Sequence, residues 1–217
     1  MKFPSALTAC VFIAGLAGPA LADDKKLDVN IKADLASVEV MHNGKKVVIQ
    51  RNQDPNNTVS PDFAKTSRKC PPFCIQPMHL APGVETIGEL EMLDYLKKSG
   101  DGDKNLIVID SRTPDWLAKG MIPGAVNIPY TDLDFKGNQI KAEDILEKQF
   151  GVKVLDIGKY DFKNAKTLVM YCNGMWCGQS PTNIKSLLAI GYPADRIKWY
   201  RGGMQDWEIL GLTTVKP

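Results

Sequence analysis

The 217-residue sequence lacks the features that identify several large protein classes. It has no basic tract, no glycine-rich phosphate loop and no zinc-finger spacing, so we expect no nucleic-acid partner. Histidine occurs only twice and no haem-attachment motif is present, so we predict neither a metal site nor a cofactor. The formal net charge of +2 is too small to indicate any class of partner.

The sequence also lacks an apolar run of the about 20 residues that a membrane-spanning helix needs. Its main apolar run, residues 6–17, follows a single lysine and precedes Gly18-Pro19 and the small-x-small tripeptide at residues 20–22. This order is typical of a secretory signal peptide. We therefore predict a signal peptide at residues 1–22, export to the periplasm, and no membrane association after cleavage.

The mature chain is predicted to have two parts, an N-terminal extension at residues 23–83 and a domain at residues 84–217. The extension contains two β-rich runs around Asn43-Gly44, the dipeptide that most strongly favours a hairpin turn. Three prolines within residues 69–77 exclude a regular helix or a central strand there. We expect the extension to be a β-hairpin followed by an ordered loop.

The domain alternates short apolar runs with amphipathic stretches. Strands are predicted at residues 106–110, 125–128, 167–171 and 197–200, and helices at residues 88–98, 141–150, 180–190 and 204–210, with a short helix from Pro114. Ser180 is expected to cap the helix that it begins, with Pro181 in the first turn. This alternation predicts an α/β fold, with a central parallel sheet and helices on both faces.

Four cysteines remain after signal cleavage, as two close pairs. An exported protein meets an oxidising compartment in which structural disulfides are common, but the sequence does not give the pairing. Cys70 and Cys74 lie in the proline-rich loop, where a local disulfide that pins the extension is the simplest interpretation. Exchange of this pair with the Cys172 site or with a periplasmic redox protein is the alternative.

Cys172 directly follows the apolar run at residues 167–171, at the sheet edge where open α/β folds bind ligands. The residues after it form a loop that leads into a helix: Asn173, Gly174, Met175, Trp176, Cys177, Gly178, Gln179 and Ser180. Backbone N–H groups of a tight loop and the N-terminus of a helix favour an anion at the sulfur. We therefore predict a catalytic thiolate at Cys172 and a binding loop around it; a buried structural thiol is the alternative.

Two other loop residues have more than one interpretation. Three interpretations of Cys177 are open: a resolving thiol, a permanent disulfide partner, or a small side chain that fills apolar space. Trp176 either covers the sulfur site or packs with one face towards solvent.

Three segments, in this order, resemble the rhodanese-like family. The first runs from Asp110 and Arg112 to the stretch Gly120-Met-Ile-Pro-Gly-Ala-Val-Asn-Ile-Pro129. The second is Val169-Met-Tyr-Cys172, and the third is Gly191-Tyr192 followed by Tyr200-Arg-Gly-Gly-Met-Gln-Asp-Trp207. The resemblance covers roughly residues 84–215 and does not include the extension.

The resemblance implies sulfane-sulfur chemistry on an α/β fold with a central parallel sheet. The loop cysteine would take sulfur from a donor, hold it as a persulfide and pass it to a thiol or another nucleophilic acceptor. The resemblance also implies structural roles for Asp110, Arg112, Arg201 and Trp207. The chain is thus expected to be a periplasmic sulfurtransferase or sulfur carrier without a cofactor.

The loop departs from the family pattern in its length and charge. Ser180 lies eight residues after Cys172, whereas the family pattern places the helix-start serine six residues after the cysteine. No lysine or arginine occurs within residues 172–184. Without a cation, recognition is left to backbone amides, Gln179 and Trp176, which makes thiosulfate a doubtful donor and excludes a phosphatase. The alternative function is a redox or protein-interaction module whose cysteines are held as disulfides.

Overall fold

The structure is a computed structural model that describes residues 28–217, so the predicted signal peptide lies outside the described residues. The strands are β1 (Ser37–His42), β2 (Lys45–Gln50), β3 (Glu85–Ile87), β4 (Leu106–Asp110), β5 (Val126–Asn127), β6 (Lys153–Asp156), β7 (Lys159–Asp161), β8 (Thr167–Tyr171) and β9 (Ile197–Tyr200). The helices are α1 (Pro61–Ala64), α2 (Glu89–Gly100), α3 (Pro114–Leu117), α4 (Gln139–Lys148), α5 (Gln179–Ala189) and α6 (Gly203–Ile209). Within this part of the chain, every helix is too short or too polar to span a bilayer.

Five parallel strands form the central sheet in the order β3-β9-β8-β4-β5. Side chains alternate between its faces, so Val108 and Val169 join one apolar cluster while Ile109 and Met170 join the other. Helices α2 and α6 cover the first face, and α4 and α5 cover the second. The predicted parallel sheet with helices on both faces is confirmed. A parallel sheet needs helices on both sides because both of its faces are apolar.

The extension contains the predicted hairpin, in which β1 and β2 pair antiparallel. The turn residues Asn43 and Gly44 have φ angles of 49° and 75°, as a tight two-residue turn requires. Val40 and Ile49 of the hairpin are buried in the same apolar cluster as α2 and the sheet. The extension is therefore part of the main core.

One local prediction is wrong, and one strand pair was not predicted. The antiparallel pair β6–β7 was not expected, because Leu155 and Ile157 are exposed and give no alternating pattern. In α2, Met92, Leu93 and Leu96 are buried and Leu90 is exposed. Ser180 does not cap α5, because the helix begins at Gln179 with Gly178 at the N-cap and no side-chain cap.

A close backbone approach at Gly203 joins α6 to the end of β8. Gly203 has a φ of +56°, and a Cβ added there would lie 2.8 Å from the Gly174 nitrogen and closer still to the Cys172 carbonyl oxygen. That carbonyl accepts a hydrogen bond from the Met204 N–H at 3.0 Å. Only glycine fits both the backbone conformation and this space.

We expect Gly203→Ala to lower the free energy of unfolding by about 3 kcal/mol or more, because left-handed strain and a backbone clash add together. Gly158→Ala is the matched control, since Gly158 also has a positive φ of 74° but no atom within 4 Å of the added Cβ. The control should lose only about 1–2 kcal/mol. Urea unfolding measures both values, and equal losses would contradict the clash.

Candidate active site

Strand β8 delivers Cys172 to the carboxyl edge of the sheet, and the loop to α5 folds back over it. Cys172 is 2% exposed and Cys177 is 3% exposed, and both are free thiols. The Cys177 carbonyl oxygen lies 3.4 Å from the Cys172 sulfur. Because the sulfur is covered, a reagent reaches it only when residues of the loop or its cover shift.

Several hydrogen-bond donors converge on the Cys172 sulfur. Burial by itself raises the pKa of this thiol, but hydrogen bonds from the Cys177 thiol, the Ser180 hydroxyl and the N–H groups of Ser180 and Gly174 outweigh burial. Together they lower the pKa of Cys172 to about 7. Loop amides and a helix N-terminus thus surround this sulfur and favour its ionised form despite burial.

Ser180 is oriented towards the sulfur by a second hydrogen bond. Its Oγ lies 3.1 Å from the Cys172 Sγ and accepts a hydrogen bond from the Trp199 indole N–H at 3.1 Å. Because the indole occupies a lone pair of the hydroxyl, the hydroxyl proton is free to point at the sulfur. The sequence placed Ser180 at the helix start, and only the fold shows that its side chain serves the thiol.

Cys177 acts on Cys172 as a hydrogen-bond donor. Its hydrogen bond to the Cys172 sulfur, followed by burial, raises the pKa of Cys177 far above its ordinary value. The Asn173 amide nitrogen lies 3.8 Å from the Cys177 sulfur, and the Gln179 Oε1 lies 3.9 Å from it. Both cysteines are free thiols and not a disulfide, and the raised pKa of Cys177 suits it as the donor to Cys172.

A buried ion pair lies behind the loop. The Arg112 guanidinium donates to both Asp110 carboxylate oxygens, at 2.6 to 3.1 Å, and neither side chain is exposed. Burial acts to lower the pKa of Arg112, but the hydrogen bonds and charge of Asp110 raise it. Further contacts join Arg112 to the Asn173 side chain at 3.4 Å and Asp110 to the Tyr171 hydroxyl at 2.9 Å. The pair thus fixes the strand ends and the first loop residue.

Residues 68–77 of the extension, here termed the cover segment, pack on the loop. The Gln76 N–H donates to the Met175 carbonyl at 2.8 Å, and the Phe73 ring meets the Trp176 ring edge-on at 5.5 Å between centroids. Arg201 holds the segment by donating to the carbonyls of Gln76 and Pro77. The site is therefore built from both parts of the chain.

The other predicted site residues lie in different surroundings. Trp176 is 8% exposed and its indole N–H donates to Gln205, so it packs between the loop and the cover segment instead of facing solvent. Cys70 and Cys74 form a local disulfide within the cover segment. Trp207 is fully buried under the sheet and donates to the Thr213 carbonyl.

The profile of the rhodanese-like domain matches residues 92–210, and the match spans more than half of the chain. The chain belongs to the rhodanese-like family. The matched region contains the sheet from β4 onward and the entire Cys172 loop, and it excludes the cover segment. No curated protein matches the sequence.

Several solved structures are similar to this rhodanese-like protein at low sequence identity. A protein from Rhodopseudomonas palustris, described as of unknown function and a possible tyrosine phosphatase, is 21% identical with a TM-score of 0.42, over 61% of this chain and 85% of its own. The human single-domain sulfurtransferase is 18% identical with a TM-score of 0.38, over 58% and 96%. Thiosulfate sulfurtransferase from Pseudomonas aeruginosa is 17% identical with a TM-score of 0.39, over 61% and 20%. Such distant similarity assigns no substrate.

Sequence reasoning missed a basic side chain that packs on the loop from outside it. It left only amides, Gln179 and Trp176 for recognition, but Arg68 of the cover segment stacks on the Trp176 ring, with Cζ 3.7 Å from the centroid. Nothing in the family pattern points to Arg68, because it lies more than a hundred residues before the loop. Residues 172–184 contain no basic side chain, and Arg68 reaches the loop only through the fold.

We expect the alkylation rate of Cys172 to rise with pH and to reach half of its maximum near the pKa of about 7, since only the thiolate reacts. Cys177→Ala removes a donor to the charged sulfur and should shift this midpoint upward by about one pH unit or more. Cys177→Ser keeps a donor and should stay near the unaltered protein. Iodoacetamide labelling followed by peptide mass spectrometry gives each midpoint.

Cys172→Ser is the control for this experiment, since it should show no labelling at residue 172. A labelling midpoint close to the ordinary cysteine pKa of 9.0 in the unaltered protein, in Cys177→Ala and in Cys177→Ser would contradict the hydrogen-bonded thiolate.

Proposed function

We propose that the protein is an exported sulfur carrier or sulfurtransferase that forms a persulfide on Cys172. The observation that carries this proposal is the thiol with a pKa of about 7, surrounded by the hydrogen-bond donors of Cys177, Ser180 and Gly174. Membership of the rhodanese-like family supports it, because the matched region contains this loop.

The transfer has two steps, each of which conserves sulfur, charge and electrons. In the first, the Cys172 thiolate attacks the sulfane sulfur of a donor; a sulfur–sulfur bond forms on Cys172, and the donor's own bond to that sulfur breaks, with the electron pair leaving on the donor. In the second, an acceptor thiolate attacks the outer sulfur and Cys172 leaves as a thiolate. No cofactor or external oxidant is needed, since the sulfur arrives already in the sulfane state.

The donors that stabilise the thiolate also suit it as a leaving group. A thiolate with a low pKa leaves more readily from a sulfur–sulfur bond, so the hydrogen bonds from Cys177 and Ser180 assist the second step. The same groups favour a negative charge in the site while the outer sulfur is present, because a persulfide is also anionic at neutral pH. The loop therefore favours both the formation of the persulfide on Cys172 and the transfer of its outer sulfur to the acceptor.

The two free thiols at the site favour the carrier over a disulfide-held redox module. A resolving role for Cys177 would require it to lose a proton, which its raised pKa opposes. The Cys70–Cys74 disulfide lies outside the loop and takes no part in the transfer.

Exposure of the native protein to inorganic polysulfide should add one sulfur atom to Cys172, detected by peptide mass spectrometry, and addition of excess glutathione should remove it. Cys172→Ser should abolish both events because the nucleophile is gone. Cys177→Ser should retain loading, since it keeps a donor to the Cys172 sulfur. Loading on Cys177 in place of Cys172, or a Cys172–Cys177 disulfide that never turns over, would refute the carrier.

A further inference from the structure

The cover segment carries a disulfide next to the loop that buries Cys172. The disulfide joins Cys70 to Cys74 and closes a small ring at residues 70–74. Phe73, which belongs to this ring, meets the Trp176 ring edge-on at 5.5 Å between centroids. The disulfide ring thus contacts the thiol loop through one of its own side chains.

A second chain of contacts runs from the disulfide through Gln76. The Cys74 carbonyl accepts a hydrogen bond from the Gln76 side-chain amide at 3.0 Å. The Gln76 backbone N–H in turn donates to the Met175 carbonyl of the loop at 2.8 Å. Two adjacent loop residues, Met175 and Trp176, are therefore held by residues whose positions the disulfide restrains.

This disulfide does not tie the extension to the rhodanese-like domain. Its two cysteines are four positions apart, so the bond restrains the local shape of the segment and joins no distant parts of the chain. Other contacts hold the ends of the segment. Arg68 stacks on Trp176 at one end, and Arg201 donates to two carbonyls at the other. Breaking the disulfide would therefore loosen the middle of the segment while its ends stay anchored.

The disulfide is open to a thiol reagent, whereas the two thiols of the site are covered. Cys70 is exposed and Cys74 is half-buried, but Cys172 and Cys177 are only 2% and 3% exposed. Thiol–disulfide exchange needs an accessible sulfur, because the attacking thiolate must reach it directly. A dithiol can therefore act on the cover segment without entering the site.

We infer that the Cys70–Cys74 disulfide is a redox-active site that controls access to Cys172, and that its partner is a protein with two neighbouring thiols. The Cys172 sulfur lies under the loop, so a sulfur donor reaches it only when the loop moves. In the disulfide form the segment holds the loop closed. In the dithiol form Phe73 and Gln76 move more freely, and the loop opens more often. This inference rests on the proposed function, since the step that the disulfide regulates is the loading of Cys172.

The exchange is balanced between the two proteins. A thiolate of the partner attacks the exposed Cys70 sulfur, a mixed disulfide forms, and Cys74 leaves as a thiolate and takes up a proton. The second thiol of the partner loses its proton, attacks the partner's own sulfur in the mixed disulfide and releases Cys70, which is protonated in turn. The cover segment gains two electrons and two protons, and the partner leaves as a disulfide.

The first test measures access to Cys172 with iodoacetamide in the full mature chain. An immobilised phosphine reduces Cys70–Cys74 and is filtered off before labelling, and peptide mass spectrometry follows residue 172 alone. Reduction should raise the labelling rate of Cys172 by about tenfold, because a disulfide that closes a small ring restricts the freedom of the open segment by about this factor. The pH midpoint should stay near the pKa of about 7, since the donors to the sulfur do not change.

Three variants connect this rate to the contacts of the disulfide. Cys70→Ser combined with Cys74→Ser cannot form the bond, so its site thiol should label at the fast rate with or without the phosphine. Phe73→Ala removes the ring contact with the loop and should label faster than the unaltered protein even with the disulfide intact. Ile75→Ala is the matched control, because this side chain is 83% exposed and should leave both rates unchanged.

The second test measures the partner and the loading. Thioredoxin with its reductase and NADPH is the probe for a dithiol protein, and it should reduce the native disulfide and bring Cys172 to the fast labelling rate. Peptide mass spectrometry then times persulfide formation on Cys172 from inorganic polysulfide. The combined Cys70→Ser and Cys74→Ser variant should load about tenfold faster than the disulfide form.

Equal labelling rates in the disulfide and dithiol forms would overturn the inference. So would a fast labelling rate equal to the rate of global unfolding in the same protein, because loss of the whole fold would then expose the thiol. In both cases the proposed function stands as long as Cys172 loads from polysulfide. If neither form places sulfur on Cys172, the proposed function fails, and the regulation of loading fails with it.

Discussion

Two opposite charges lie without solvent exposure at the carboxyl edge of the sheet, and the position of the thiol loop depends on their pairing. Removing a carboxylate and a guanidinium from water is costly unless every polar atom finds a partner. Asp110 and Arg112 meet this requirement through each other, through the Tyr171 hydroxyl and through the Asn173 side chain. Since these partners come from adjacent strands and the loop itself, satisfying the pair fixes the start of the loop.

The chemistry of the thiol follows from this placement. Asn173 connects the ion pair to the sulfur pair, with its amide oxygen near Arg112 and its amide nitrogen 3.8 Å from the Cys177 sulfur. Cys177 and Ser180 then donate to Cys172 from the far end of the loop. A buried thiol would ordinarily stay protonated, and only the convergence of these donors on one sulfur reverses that tendency.

The extension contributes to the site without any family pattern of its own. The hairpin fills one face of the core, Arg201 holds the cover segment by its carbonyls, and Phe73 and Arg68 pack on Trp176. A thiol loop that carries no cation is thereby placed beside one. The rhodanese-like domain and its extension consequently form one site, although the family match begins at residue 92, after the cover segment.

The sequence by itself determined the parallel sheet, the hairpin turn at Asn43-Gly44, and Cys172 at the end of a buried strand, because these depend on local periodicity and turn chemistry. It did not reveal that the Ser180 hydroxyl contacts the sulfur or that the pKa values of the two thiols shift in opposite directions. Nor did it reveal that the Arg68 guanidinium stacks on the Trp176 ring. Each of these joins residues on different elements, or depends on a side-chain direction that local pattern leaves free. Tertiary packing alone aimed Ser180 and Cys177 at the Cys172 sulfur and placed Arg68 on the Trp176 ring, since neither side-chain direction nor proximity between distant segments leaves a periodic signal in the chain.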